Sequence, residues 1–258
     1  DDNAENADTK FRRAFVKGNL GSGVAVTAGR QVFKIGAGYT FDATGIDAVK
    51  VDFGKVLKGT AFYGRFDSDI EATSKTTEGV VNATDKSDIY GLGLPYDFSK
   101  SLYARAAYYG VKDNGTVTGY AVTDREIYSA GLGYKFDKNT SIYGEYLKSS
   151  EDDAQKNDDG FAVTLAYKGA KVAKANSWGA YATYYDQAAT TMSDHASEGI
   201  GDMEKTYFNN KGIKGYEIGV GYTLAKNVLA EVSYYDFENK ENSSIDNNML
   251  WSRVTFSF

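Results

Sequence analysis

Leu102-Tyr103-Ala104-Arg105-Ala106-Ala107-Tyr108-Tyr109-Gly110 decides the fold class. Leu102, Ala104, Ala106 and Tyr108 share one phase of a two-residue period, and Tyr103, Arg105, Ala107 and Tyr109 share the other. Alternation of this kind sends successive side chains to opposite faces of a strand. The pattern recurs in Phe161 to Lys168, Tyr216 to Tyr222 and Val228 to Tyr235. It is also present where Phe62, Gly64 and Phe66 alternate with Tyr63, Arg65 and Asp67. Thirteen such segments are expected, at about 10–19, 23–30, 46–54, 60–68, 88–98, 101–111, 125–136, 140–149, 159–168, 176–186, 213–224, 227–237 and 248–258. No stretch has the period of an amphipathic helix.

Composition narrows the chemistry. The 258 residues include 28 Gly and 21 Tyr, against one Pro, no Cys and one His. Without Cys there is no disulfide framework, thiol nucleophile or thiolate-bound metal centre, and one His cannot build a multi-histidine site. Lys and Arg total 29 against 35 Asp and Glu, a formal charge of −6, with no basic block of the kind that binds nucleic acid. No apolar run approaches the ~20 residues of a spanning helix.

The connectors alternate in length. Short ones fall at 19–22, 55–59, 99–100, 137–139, 169–175 and 225–226, and long polar ones at 31–45, 69–87, 112–124, 150–158, 187–212 and 238–247. A meander with short turns at one end and long loops at the other is the pattern of a transmembrane β-barrel. A strand tilted by about 45° crosses the hydrocarbon layer in roughly 9–11 residues, which these segments match. Aromatic residues gather at strand ends, among them Tyr90, Tyr96, Phe98, Tyr134, Phe136, Tyr184, Tyr216 and Tyr222. Rings with a polar tip favour the headgroup level, so this distribution predicts two girdles. The fold expected is therefore all-β: one antiparallel up-and-down barrel over 1–258, its apolar face toward lipid and its polar face lining a lumen.

An odd count of strands is incompatible with a closed bacterial barrel of even number. If Phe258 ends at the periplasmic side, the first strand runs inward from an outer loop, and an odd number of strands is expected to precede it. The competing reading hides a fourteenth strand within 31–45, since Phe33 to Phe41 is strand-like.

The run Gly29-Arg30-Gln31, after Val24-Ala25-Val26-Thr27, resembles the Gly-Arg-Gln that precedes the inward-folded constriction loop of trimeric general porins. In that family the loop follows the fifth strand, so the resemblance implies three further strands, 16 in all. Phe11 to Arg65, with Gly45-Ile46-Asp47-Ala48 and Gly59-Thr60-Ala61-Phe62-Tyr63, is similar to the barrel of OmpM-type porins of diderm Firmicutes. The ending Met249-Leu250-Trp251-Ser252-Arg253-Val254-Thr255-Phe256-Ser257-Phe258 resembles the assembly signal of outer-membrane barrels. These resemblances imply a homotrimer in the outer membrane of a diderm bacterium, with outer-membrane lipid as its surroundings. They also imply cell-wall attachment only through an N-terminal S-layer-homology domain that this sequence does not contain.

A charge on a lipid face costs about 2–4 kcal/mol at the midplane, so strand charges are expected to face water. The pore-lining candidates are Lys50, Asp52, Arg65, Asp67, Arg105, Arg125, Glu145, Glu217, Glu231 and Arg253, with Lys168 a further basic member. Arg65 and Arg105 are expected on one wall, facing carboxylates elsewhere. Segment 31–45 is the candidate constriction loop, carrying Gln31, Lys34, Tyr39 and Asp42. No catalytic set, metal site or cofactor is expected. His195 falls in a polar loop with Ser193 and Asp194, and the acidic run Glu151-Asp152-Asp153 with Asp158 and Asp159 lacks EF-hand spacing. The expected function is passive diffusion of small hydrophilic solutes with weak charge preference. The alternatives are a structural tether and a monomeric specific channel, the latter with Tyr63, Tyr103, Tyr109, Tyr143, Tyr181 and Tyr185 as a binding track.

Overall fold

A computed structural model describes residues 13–34, 37–39, 42–55, 57–65, 74–76, 79–81, 87–113, 124–150, 157–192, 200, 207–208 and 211–257. Its strands are β1 (Ala14–Gly21), β2 (Val24–Lys34), β3 (Asp42–Phe53), β4 (Gly59–Arg65), β5 (Ser74–Thr76), β6 (Gly79–Val81), β7 (Ser87–Asp97) and β8 (Leu102–Asp113). They continue with β9 (Arg125–Lys135), β10 (Thr140–Ser149), β11 (Asp159–Lys168), β12 (Trp178–Gln187), β13 (Ile213–Ala225), β14 (Val228–Asn239) and β15 (Asn242–Phe256). Thirteen of these form one sheet in chain order, every neighbouring pair antiparallel, while β5 and β6 make a separate small hairpin within the fourth connector. The sheet has two edges, β1 and β15.

The thirteen expected strands are thus present, with three differences at the long connectors. β2 and β3 run on to Lys34 and Asp42, which pair with each other, so the strand-like residues of 31–45 lengthen two existing strands. Segment 238–247 is a tight turn followed by the start of β15. The Asn239 side-chain oxygen accepts the N–H groups of Glu241 (2.9 Å) and Asn242 (3.0 Å), and the hairpin pairs from there onward. Alternation fails in this stretch because a hairpin standing in water on both faces has no apolar side. The third difference is the β5–β6 hairpin itself.

One face of the sheet carries exposed aliphatics: Leu132, Leu165, Ile218, Val220, Val232, Leu250 and Val254. Aromatics flank this band at two levels. At the turn end Tyr96 meets Phe98, Tyr134 meets Phe136, and Tyr167 meets Trp178. At the loop end Tyr90, Tyr108 and Tyr128 lie side by side, as do Phe161 and Tyr184. Several of these tyrosines donate to a carboxylate at the rim, including Tyr108 and Tyr128 to Glu126, Tyr146 to Asp159 and Tyr216 to Asp236. An apolar band between two belts of rings whose hydroxyls reach polar partners is the outer surface of a membrane barrel.

The opposite face receives the loops. Two buried apolar clusters lie on it. One joins Ile46, Ala48, Phe62, Ile89, Ala107, Tyr109 and Ile127 across β3, β4 and β7–β9. The other joins Ala162, Tyr185, Ile213, Tyr235 and Phe237 with Met192, Ile200 and Phe208 from the connector between β12 and β13.

Gly29 shows why the sequence needs glycine at one tight position. Its φ is +118°, and a Cβ there would collide with the Ala14 carbonyl oxygen and lie 2.9 Å from the Phe15 Cα on the paired strand. Only glycine fits both the backbone and the space.

Candidate functional site: the inner wall and its loops

The inner wall is read from register. Around the middle of the sheet Arg105 lies opposite Gly131, Gly131 opposite Glu145, Glu145 opposite Ala162 and Ala162 opposite Tyr185. One step toward the turns the order is Tyr103, Gly133, Tyr143, Thr164, Thr183, Glu217, Tyr235 and Met249. On β8–β10 the rings lie over glycines of the strand between them, Tyr103 over Gly133 and Tyr143 over Gly131.

The tip of the β2–β3 connector is fastened to this wall at three points. The Ala37 N–H donates to Glu145 Oε2 at 3.1 Å, the Tyr39 hydroxyl and Thr164 Oγ1 lie 2.6 Å apart, and Gln187 Nε2 donates to the Tyr39 carbonyl at 3.0 Å. The Tyr39 ring also lies 6.2 Å from Tyr143 and edge-on to Tyr185 at 5.9 Å. Burial pushes the Tyr39 phenol up to about 12, so it is protonated through the physiological range. Gln31 is buried at the base of the connector and donates to the Ala48 carbonyl at 3.0 Å. Lys34 and Asp42 face each other in register where the two strands end.

A second connector also folds inward. After β12, Ala188, Thr190, Thr191 and Met192 are buried around a 3-10 turn at Ala189–Thr191, and Phe208 is buried further on. Arg125 crosses to this segment, donating through Nη2 to the Met192 carbonyl at 2.9 Å. Gln187 Nε2 touches both connectors, reaching the Tyr39 carbonyl at 3.0 Å and the Thr191 carbonyl at 3.5 Å. This second inward segment is the main element of the inner wall that alternation does not reveal. Its only signal in the sequence is a set of apolar residues, Met192, Ile200 and Phe208, within an otherwise polar loop.

The expected charges divide into groups. Lys50, Asp52, Arg105, Arg125, Glu145, Glu217, Glu231 and Arg253 stand on the inner face. Glu145 and Glu217 are only 4% and 5% exposed. Glu145 accepts the Tyr143 hydroxyl at 2.7 Å as well as Ala37, and Glu217 accepts the hydroxyls of Tyr181 and Tyr185. Both carboxylates hold tyrosines in place under the loops rather than facing open water. Lys50 pairs with Asp52 at 3.1 Å, and Arg253 with Glu231 at 2.9 Å, with its guanidinium 4.9 Å from the Trp251 ring.

Arg65 does not share the wall of Arg105. It stands on the outward face with Tyr63, and its guanidinium meets Asp88 at 2.6 Å, which also accepts the Tyr63 hydroxyl at 3.0 Å. Asp47 is opposite Arg65 in register and pairs with Arg30 at 2.7 Å, so this corner carries alternating charges at the loop-end rim. The parity of β4 misleads because its inner residue Phe62 belongs to an apolar cluster. An inner wall with a dry patch cannot be recognised from the polarity of one strand. Lys168 also leaves the lumen, with its ammonium over the outward rings of Tyr167 (5.1 Å) and Trp178 (4.6 Å). Of the supposed tyrosine track, Tyr63 is likewise outward. Asp67, His195 and Glu151 to Asp153 lie outside the described residues. Asp158 pairs with Lys148 at 2.5 Å, an ion pair that holds its carboxyl below the usual range.

Residues 1–154 and 71–242 match the Gram-negative porin family. Among solved structures, the chain is similar to Pseudomonas putida OprB, with a TM-score of 0.53 at 12% identity, over 95% of this chain and 72% of that one. It is also similar to the outer membrane protein OprD from Pseudomonas aeruginosa, with a TM-score of 0.50 at 12% identity, over 93% of this chain and 66% of that one. These likenesses concern the fold, and the chain spans about two thirds of the length of OprD. No curated protein matches it.

Proposed function

The chain belongs to the Gram-negative porin family of the outer membrane, and from that premise we propose a channel for passive diffusion of small hydrophilic solutes. The observation that carries the proposal is the fastening of the β2–β3 connector to the inner wall by Glu145, Thr164 and Gln187. A loop held across a water-filled lumen narrows it without closing it, and the wall beneath sets the charge preference. Lys50 with Asp52 and Glu231 with Arg253 are internally balanced pairs, so the preference is weak.

In this reading the two sheet edges are closed by further strands between β15 and β1, sixteen in all. Unpaired N–H and C=O groups along an edge are not tolerated in hydrocarbon. The assembly is a homotrimer, with the exposed Val16 of β1 and Val49 of β3, which share the outer face, on the side where subunits meet. A tether to the cell wall would belong to a separate domain, and no feature of these strands favours it.

The test is conductance of the purified full-length protein in planar bilayers, with reversal potential under a salt gradient. Closure in three equal steps with a reversal potential near zero is the expected result. Correctly folded protein that carries no current would overturn the reading.

A further inference from the structure

We propose that the connector between β12 and β13 is the seat of the β2–β3 connector, and that Arg125, which holds the seat, is a positioning residue for the width of the lumen. The inference rests on the channel reading for its consequence and adds a second moving part to it. The seat is a strap laid along the loop end of the wall. Arg125, on β9, donates to its Met192 carbonyl at 2.9 Å, and Asn239, at the end of β14, donates through Nδ2 to its Phe208 carbonyl at 3.0 Å. Thr190 Oγ1 donates to the Asn157 carbonyl at 3.1 Å, just ahead of β11. Four strands, β10 to β13, stand between the two outer anchors.

The strap completes the bed on which the other connector rests. Its Met192, Ile200 and Phe208 join Ala162, Tyr185, Ile213, Tyr235 and Phe237 in one buried cluster, and Tyr39 packs against that cluster. Withdrawing the strap strips three apolar side chains from the bed. Gln187 adds a polar link. Its Nε2 reaches the Tyr39 carbonyl at 3.0 Å and the Thr191 carbonyl at 3.5 Å, so the two connectors meet at one amide. Gln187 is only 1% exposed. When either connector leaves, an N–H loses its acceptor in a site that the other still covers, which is costly. Elements that share a bed and a donor are linked, and linkage is reciprocal. Arg125 holds the second connector, and Glu145 holds the first through the Ala37 N–H at 3.1 Å. Loosening either one therefore loosens both, and the lumen widens by the two moving together.

The chain contains no cysteine, so a single introduced one carries a nitroxide label at a chosen place. Ala37→Cys reports the first connector and Ala189→Cys the second, each in the full-length protein reconstituted in lipid vesicles. Arg125→Leu is expected to raise the mobile fraction at residue 37, and Glu145→Ala the mobile fraction at residue 189, by about fivefold or more in each case. Arg125→Lys retains a cationic donor and keeps most of the immobilised signal at both labels. A variant that frees only its own label, or neither, overturns the inference, provided its circular dichroism matches the parent's. Where Arg125→Leu does not fold, Glu145→Ala read at residue 189 decides alone. In planar bilayers the two variants should give wide-conductance steps of one common amplitude, whereas independent connectors would give two amplitudes and refute the shared movement. If folded protein carries no current, the channel reading fails, and the labels still decide the linkage.

Discussion

Glu145 is the place to test how the constriction is held, because its Oε2 accepts both the Ala37 N–H at 3.1 Å and the Tyr143 hydroxyl at 2.7 Å. A hydrogen bond to a charged group contributes about 1.5–3 kcal/mol and a neutral one about 0.5–1.5 kcal/mol. Glu145→Gln can place its carbonyl oxygen where Oε2 stands, keeping both donors and losing only the charge. That costs about 1–1.5 kcal/mol, which raises the occupancy of an undocked loop about five- to tenfold. Glu145→Ala removes the acceptor altogether and raises it about ten- to 150-fold. Tyr39→Phe removes the contact to Thr164, whose hydroxyl retains Thr183 at 2.6 Å, and adds a further factor of about five. Single-channel recording reads the result directly, since an undocked loop leaves a wider lumen and produces brief steps of higher conductance. The expected order of their frequency is parent, Tyr39→Phe close to Glu145→Gln, Glu145→Ala, then the Glu145→Ala, Tyr39→Phe double variant. If Glu145→Ala and the double variant show the parent's current level and noise, these bonds do not hold the loop.

Further outcomes follow from the same geometry. Docking weakens as pH rises from about 10 toward 12, because the Tyr39 phenol resists ionisation when docked and ionises near its usual 10 when free; the frequency of wide-conductance steps should rise over that window in the parent and stay constant in Tyr39→Phe. Asp137 accepts the N–H groups of Asn139 (2.6 Å) and Thr140 (2.7 Å) in the β9–β10 turn, and these bonds hold its carboxyl below the ordinary value of 3.8. Its contribution is complete above that value and is lost as pH falls through the lowered one; melting of Asp137→Ala should differ from the parent at pH 7, and the difference should shrink as the pH is taken further below 3.8. Leu132→Arg, on the outer face, should cost about 2–4 kcal/mol of barrel stability. Ser141→Arg, on the inner face, should cost little, and equal losses in urea titrations of the two variants would contradict the assignment of faces.

Alternation carries its information where one face is uniformly apolar. Along β8, β10, β13 and β14 the lipid side is Leu, Val, Ile and Tyr with Ala and Gly between them, and those strands emerge where their period places them. Phe62 is inward and Arg65 outward because a dry patch occupies part of the inner wall and a charged rim crowns the outer one. The sequence predicts a long loop at 238–247, where the chain turns tightly at Asn239–Asn242, because hairpins that stand clear of the bilayer have no apolar side to alternate.

The glycines were the least legible residues. Gly131 and Gly133 look like spacers in the sequence, yet their lack of a Cβ is what lets the Tyr143 and Tyr103 rings lie flat. That role depends on a cross-strand neighbour and on register, and neither is written locally.

The amino-acid sequence by itself determined the class of fold, the thirteen strands of the sheet and the end bearing the long connectors. These depend on a two-residue period, on turn spacing and on the preference of aromatic rings for an interface, all of which are local or statistical; the inward fold of 31–45 was implied only by the resemblance of Gly29-Arg30-Gln31 to trimeric general porins. Only the tertiary structure decided which wall each charge stands on and that Glu145 and Glu217 are consumed in holding tyrosines. It alone decided that a second connector joins the first through Gln187. Those outcomes rest on pairs such as Ala37 with Glu145 or Arg125 with Met192, 108 and 67 residues apart in the chain, which only the closing of strands around a common lumen brings together.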